Sequence, residues 1–181
     1  MAVTLEGDAT IKVVDNSIDF VDVPDNSTFS DAIDYMSSRE LMNGKTETTF
    51  NGNEATTRAM VWTIIGRGAD QDLYGSGVYA KAADWATSTG VSDGSNPNSN
   101  VTRQQLAVML WRQAGMPESN HDLSDFHDGE NVADYAAVAM AWAVEMGILN
   151  GNNGNLNPTG NATRNHVAAM YMRFVQAVNA Q

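Results

Sequence analysis

Cysteine is absent, which excludes disulfide frameworks, thiolate metal sites and cysteine nucleophiles together. Positive charge is scarce: 10 Lys and Arg face 22 Asp and Glu, for a net charge of −12. That balance argues against nucleic acid, whose phosphates demand clustered cations, and against anionic membrane surfaces. No apolar run approaches the ~18 residues a membrane-spanning helix needs, and no basic stretch leads into an apolar one at the start. Met1 is followed at once by a polar, strand-like stretch from Thr4 to Val14. We therefore expect a piece of a longer exported protein, with residues 1–18 as a linker or the tail of a preceding domain. Histidine occurs only at 121, 127 and 166, which leaves little material for acid–base chemistry.

What the chain does hold is apolar residues for a core, 43% of the total, and a repeat. Its first block reads Ala32-Ile-Asp-Tyr35 … Leu41-Met-Asn-Gly44, then Ala82-Ala-Asp-Trp85 … Val91-Ser-Asp-Gly94, then Ala139-Met-Ala-Trp142 … Ile148-Leu-Asn-Gly151. In each copy an aromatic residue stands nine positions before a glycine, and a branched or long apolar residue three before it. The second block opens with Thr-Arg: Thr57-Arg58, Thr102-Arg103 and Thr163-Arg164. Apolar residues follow each Arg in the spacing of an amphipathic helix: Val61, Ile64 and Ile65; Leu106, Met109 and Leu110; Val167, Met170 and Tyr171. A threefold helix–turn–loop–helix array is the reading. A lone pair of short helices cannot bury its apolar face, so the copies should pack into one all-α unit. The middle loop, Gly94 to Arg103, is shorter than its counterparts by four or five residues, so its groove should differ.

Six of the seven arginines fall at two repeated positions. Arg67, Arg112 and Arg173 stand late in the second helix, where a cation complements the helix dipole. Arg58, Arg103 and Arg164 stand in its first turn if each Thr is an N-cap, where the dipole disfavours a cation by roughly 0.3–1 kcal/mol. Two explanations stay open. Guanidinium and free backbone N–H groups converge on an anion, or each Arg pairs with an acid such as Asp34 or Asp84 or covers an aromatic ring. Tyr35, Trp85 and Trp142 likewise fit either core packing or stacking on a sugar face.

Catalytic alternatives fare poorly. The stretch His121-Asp-Leu-Ser-Asp-Phe-His-Asp-Gly-Glu130 does not space its acids as an EF-hand loop does and is not a His-Glu-x-x-His helix. It reads as a solvated connector, with a weak calcium site as the lesser reading. No nucleophile elbow or phosphate-binding loop occurs, and no cofactor is expected.

Taken together, these blocks resemble the S-layer homology family: an aromatic–Ala helix, a Gly-Ile-x-x-Gly-like turn and a Thr-Arg-Ala-Glu signature. The matches are Ala141-Trp142-Ala143, Gly147-Ile148 … Gly151, Leu156-Asn157-Pro158 and Ala162-Thr163-Arg164, with Trp85-Ala86, Gly90-Val91 … Gly94 and Val101-Thr102-Arg103, and with Phe50-Asn51 and Thr56-Thr57-Arg58-Ala59. Leading Phe-x-Asp elements stand at Phe20-Val-Asp22 and Phe126-His-Asp128. The resemblance implies copies over 19–70, 71–117 and 118–181, a pseudo-threefold unit around a central helical bundle, and a non-catalytic anchor on the bacterial surface. It implies grooves that bind an anionic, pyruvylated wall polysaccharide, with other surface-layer proteins as further partners. The site would be drawn from Arg58, Arg103 and Arg164, Thr57, Thr102 and Thr163, Tyr35, Trp85 and Trp142, and Gly44, Gly94 and Gly151. The alternative is a protein-interaction module of the same fold. The signature's Glu is replaced by Met60, Gln105 and His166. Only Thr102 with Gln105 is expected to keep a reciprocal capping box, leaving the other two helices weaker at their start by roughly 0.5–1 kcal/mol.

Overall fold

The computed structural model describes residues 18–180; the linker or tail expected over 1–18 lies outside them but for Ile18. The architecture is all-α, as expected. Six helices follow in order: α1 (Ser30–Ser38), α2 (Arg58–Gly68), α3 (Val78–Ser88), α4 (Arg103–Gln113), α5 (Ala137–Glu145) and α6 (Arg164–Asn179). Two single 3₁₀ turns, Gly129–Asn131 and Asp134–Ala136, lead into α5.

The even-numbered helices start where Thr-Arg marked them. Thr57, Thr102 and Thr163 are N-caps whose hydroxyls accept from the N–H of Met60, Gln105 and His166. All nine stripe positions are buried, from Val61 at 0% exposure to Ile64 at 5%. One expectation needs correction. The His166 ring replaces the missing Glu: its Nδ1 accepts from the Thr163 N–H at 3.2 Å, completing a second capping box. Among these three, only α2 has a one-way cap.

The two helices of one copy are not each other's main partners. α1 packs on α6, α2 on α3 and α4 on α5, so each packed pair joins neighbouring copies, and α4 also touches α2 and α6. Between these pairs the strand-like residues before each Thr-Arg close a ring of backbone hydrogen bonds. Thr56 N–H donates to Ala162 C=O at 3.0 Å, Ala162 N–H to Val101 C=O at 2.8 Å, and Val101 N–H to Thr56 C=O at 2.9 Å. All three residues are fully buried. Each helix then gives its first two N–H groups to the next loop. Arg58 and Ala59 donate to Ser99 and Pro97, Arg103 and Gln104 to Gly160 and Pro158, and Arg164 and Asn165 to Glu54 and Gly52.

Helices α1 and α5 end in Schellman-type turns: the N–H groups of Leu41 and Ile148 reach back five residues to the carbonyls of Met36 and Ala143. The residue that must turn left-handed is Gly147 at φ +67° after α5 and Gly90 at φ +76° after α3, but Glu40 at φ +56° after α1. A side chain there costs about 1 kcal/mol, and Glu40 is exposed. We expect Glu40→Gly to stabilise the fold by roughly 0.5–1 kcal/mol, after the added entropy of the unfolded glycine is subtracted. Calorimetry should show the melting temperature rising by about 1–4 °C.

Candidate functional site

The first-turn arginines reach from one copy to the next. Arg58 Nε donates to Ser95 C=O at 2.8 Å, Arg103 Nε to Leu156 C=O at 2.7 Å and Arg164 Nε to Phe50 C=O at 2.8 Å. The same atom of each side chain therefore holds the following copy's loop. This overturns part of the anion-site expectation. The N–H groups expected to be free beside each Arg are consumed by neighbouring carbonyls and the Thr hydroxyls, so no backbone cradle is left for a ligand. Only the terminal amino groups of the arginines remain to be assigned.

Two further contacts brace each long loop. Asp22 accepts from the N–H groups of Phe50 and Asn51 at 2.8 and 2.7 Å, and Asp128 from those of Leu156 and Asn157 at 2.7 Å each. Partial burial pushes the Asp22 carboxyl up, but these N–H donors outweigh it and hold it below the usual carboxylate range. The rings of Phe20 and Phe126 lie against Gly44 and Gly151, where a Cβ would collide with them. The Phe-x-Asp elements were visible in the sequence, but their task as loop braces was not.

Each groove lies beside one turn, between the preceding copy's first-turn Arg and the same copy's late Arg. At the Asn43 turn, the Arg164 terminal amino group donates to Asn43 C=O at 2.6 Å, and its guanidinium lies 4.5 Å from the Phe50 ring centre. Arg67 donates to the carbonyls of Leu73, Leu41 and Glu40. At the Ser92-Asp93 turn, Arg58 pairs with Asp93 at 2.6 Å and Ser92 Oγ at 2.8 Å, rather than with Asp34 or Asp84. Arg58 and Arg112 line a cleft of only about 180 Å³ there, with Tyr135 at its wall.

The Asn150 turn differs from both. Its cleft of about 670 Å³ is lined by Arg103, Arg173, His166, Asp128, Asn150 and Phe29, among others. Arg103 is 7% exposed, yet Nε is its one side-chain nitrogen with a hydrogen-bond partner among the described residues. Burial pushes its guanidinium below the usual arginine range; Asp128 opposes that shift, and Arg173 adds to it. The Arg173 side chain makes no hydrogen bond or ion pair among the described residues. A third cleft, about 460 Å³, carries Asp22 and Glu54, and its sign disfavours an anion.

The remaining expected site residues hold the scaffold. Trp142 is 3% exposed and meets Phe174 edge-on, so its face is not offered to a sugar. Tyr35 is half-buried with Arg39 stacked 3.9 Å from its ring centre, and Trp85 packs beside Gly66. Gly94 takes a left-handed φ of +70°. Of the three glycines, Gly151 lines the large cleft. The exposed aromatics among the described residues are instead Tyr135 at 59%, Tyr79 at 46% and Tyr74 at 42%, none of which the repeat pattern singled out. The connector 121–130 supplies Asp128 to the loop, and no group of three or more His, Asp or Glu among the described residues could hold a metal ion.

His166 faces Arg103, Arg173 and Asp128 across the large cleft and meets the Phe29 ring edge-on. Burial first, then Arg103, lowers its pKa below the ordinary value, while a hydrogen bond to Asn161 opposes the shift. Its cap needs a neutral Nδ1. Because the folded pKa is depressed, the stabilisation is present above the unfolded value near 6.5 and is lost as pH falls through the lower folded value. We expect the melting temperature to fall from pH 7 to pH 5, and His166→Gln, which keeps a capping acceptor, to flatten that dependence.

Two regions, residues 19–59 and 125–168, match the family model of the S-layer homology domain. The chain is similar to an amylopullulanase of Thermoanaerobacterium thermosulfurigenes, at 32% identity over 83% of this chain and 9% of that protein. It is also similar to exoglucanase XynX of Acetivibrio thermocellus, at 29% identity over 92% of this chain and 17% of that protein. A surface-layer 125 kDa protein of Lysinibacillus sphaericus is 27% identical over 83% of this chain and 14% of that protein. The chain thus spans less than a fifth of the length of each of these relatives. Over these two regions the chain is similar to the S-layer homology domain, and residues 60–124 lie outside the match. No helix among the described residues is long and apolar enough to cross a membrane.

Proposed function

We propose that this chain is a non-catalytic anchoring module that holds a larger protein on the bacterial surface by binding an anionic, pyruvylated wall polysaccharide in grooves between its copies. In this reading the copies at 19–70, 71–117 and 118–181 form a pseudo-threefold unit. The ring through Thr56, Val101 and Ala162, and the three equivalent Arg Nε contacts, support that arrangement. The observation that carries the binding reading is Arg103. An arginine only 7% exposed, lining a 670 Å³ cleft with terminal amino groups that have no acceptor among the described residues, calls for an anionic partner. Asn150, Asn152, Asn155 and Asn157 line the same cleft, and their amides are suited to sugar hydroxyls. The catalytic names of the relatives belong to proteins more than five times the length of the matched stretch.

Sedimentation with Gram-positive wall sacculi tests this. Wild type should pellet with intact sacculi and remain soluble once acid has stripped their secondary polymers. Arg103→Lys, which keeps the charge but loses the fork, should weaken pelleting at least tenfold while retaining a cooperative melt. Unchanged pelleting after stripping would instead favour a protein-interaction module.

A further inference from the structure

The three grooves share one plan, but the turn of the second carries an acid where the other two carry an amide. Asp93 occupies the position that is Asn43 in the first copy and Asn150 in the third. Its carboxylate is fixed in place by the Ser95 N–H at 3.0 Å and the Ser95 hydroxyl at 2.8 Å, and it receives the Arg58 terminal amino group at 2.6 Å. The Ser95 donors and Arg58 together hold it below the usual carboxylate range, so it stays charged at neutral pH. The Asn150 groove has no such internal anion on its turn, and Asp128, the carboxylate lining it, is engaged by two backbone N–H groups. Arg103 and Arg173 both line that groove, and neither has a carboxylate of the described residues bound to it.

We propose that Asp93 is a built-in counterion standing where a ligand's acid group would sit on Arg58. The groove at Arg58 is thereby closed to anions, and the Arg103–Arg173 pair forms the chain's operative anion clamp, with Arg173 a direct contact. The inference rests on the anchoring reading only for the identity of the ligand; the division of labour among the grooves stands on charge and geometry. It assigns Arg173 a role its equivalents lack, since Arg67 and Arg112 spend their amino groups on the carbonyls of Leu41 and Val91. It also changes the reading of Arg173 as an end-of-helix charge.

The test uses inorganic phosphate as probe and the side-chain ¹⁵Nε and ¹³Cζ resonances of the arginines as readout, so that it does not depend on the wall polymer. In wild type, phosphate should shift Arg103 and Arg173 saturably with one common affinity and leave Arg58 unmoved. In Asp93→Asn, whose new residue is already accommodated at 43 and 150, Arg58 should join the response. Arg173→Gln should weaken the response at Arg103 by about tenfold, as expected for loss of one charge-assisted contact, whereas Arg112→Gln should not change it. A wild-type response at Arg58 equal to that at Arg103, no saturable shift at Arg103 or Arg173, or an Arg58 still silent in Asp93→Asn would each overturn the proposal. Phosphate shifts as described, with no wall binding in sedimentation, would uphold the clamp and remove the anchoring reading alone.

Discussion

Everything in this molecule is referred to the buried ring formed by Thr56, Val101 and Ala162. Three short extended segments meet there, and each must pair its backbone polar groups with the others because no water reaches them. Once those bonds form, the chain direction at each Thr-Arg is fixed. Each helix then starts at a set angle, with its first two N–H groups against the neighbour's loop. The stripe of apolar residues along α2, α4 and α6 is carried inward as a consequence. Helix propensity has little to do with it: the odd-numbered helices have no side-chain cap at all and persist through packing on the neighbouring copy.

That arrangement explains what the sequence did and did not disclose. The apolar stripes and Thr caps are local, periodic signals, so all nine stripe positions and the three caps could be read from spacing. Which helices pair is a long-range fact. The contact of α1 with α6 joins opposite ends of the repeat, and nothing in the spacing within a copy points to it. His166 was read as a lost Glu, because a capping box is usually recognised by an acid or amide; an imidazole nitrogen at the same height serves as the acceptor. The aromatic positions illustrate the opposite error of emphasis. Tyr35, Trp85 and Trp142 repeat because the core needs them, whereas exposed Tyr79 and Tyr135 do not repeat and so gave no signal.

The site was legible in part for the same reason. Arg58, Arg103 and Arg164 stood out because a cation in the first turn of a helix runs against the dipole, and each proves to have a reason for being there. That reason is first structural: Nε ties one copy to the next, at 2.7–2.8 Å in all three cases. A repeated residue can be kept by the scaffold alone, so repetition does not separate a binding arginine from a stapling one. What separates them is the fate of the other nitrogens, which depends on side chains from a different copy and so is not a property of any one motif.

A guanidinium has five N–H donors in a rigid fork, so holding a loop through Nε does not exhaust it. The same side chain can serve the fold with one edge and face a groove with the other. This couples assembly and recognition: a Lys at these positions would offer charge but no second, oriented edge, and neither duty would survive intact. It also means that the groove's chemistry is set less by the arginine than by what the adjoining turn presents to it. Asn43 offers a backbone carbonyl, which occupies a donor without cancelling the charge; Asp93 offers a carboxylate, which does both; the Asn150 turn makes neither contact with Arg103. From one scaffold contact repeated three times, the group each turn presents to its arginine thus produces three grooves of different electrostatic character: a carbonyl at Asn43, a carboxylate at Asp93 and neither at Asn150. Divergence among the copies can proceed at those turns without disturbing the ring that holds them.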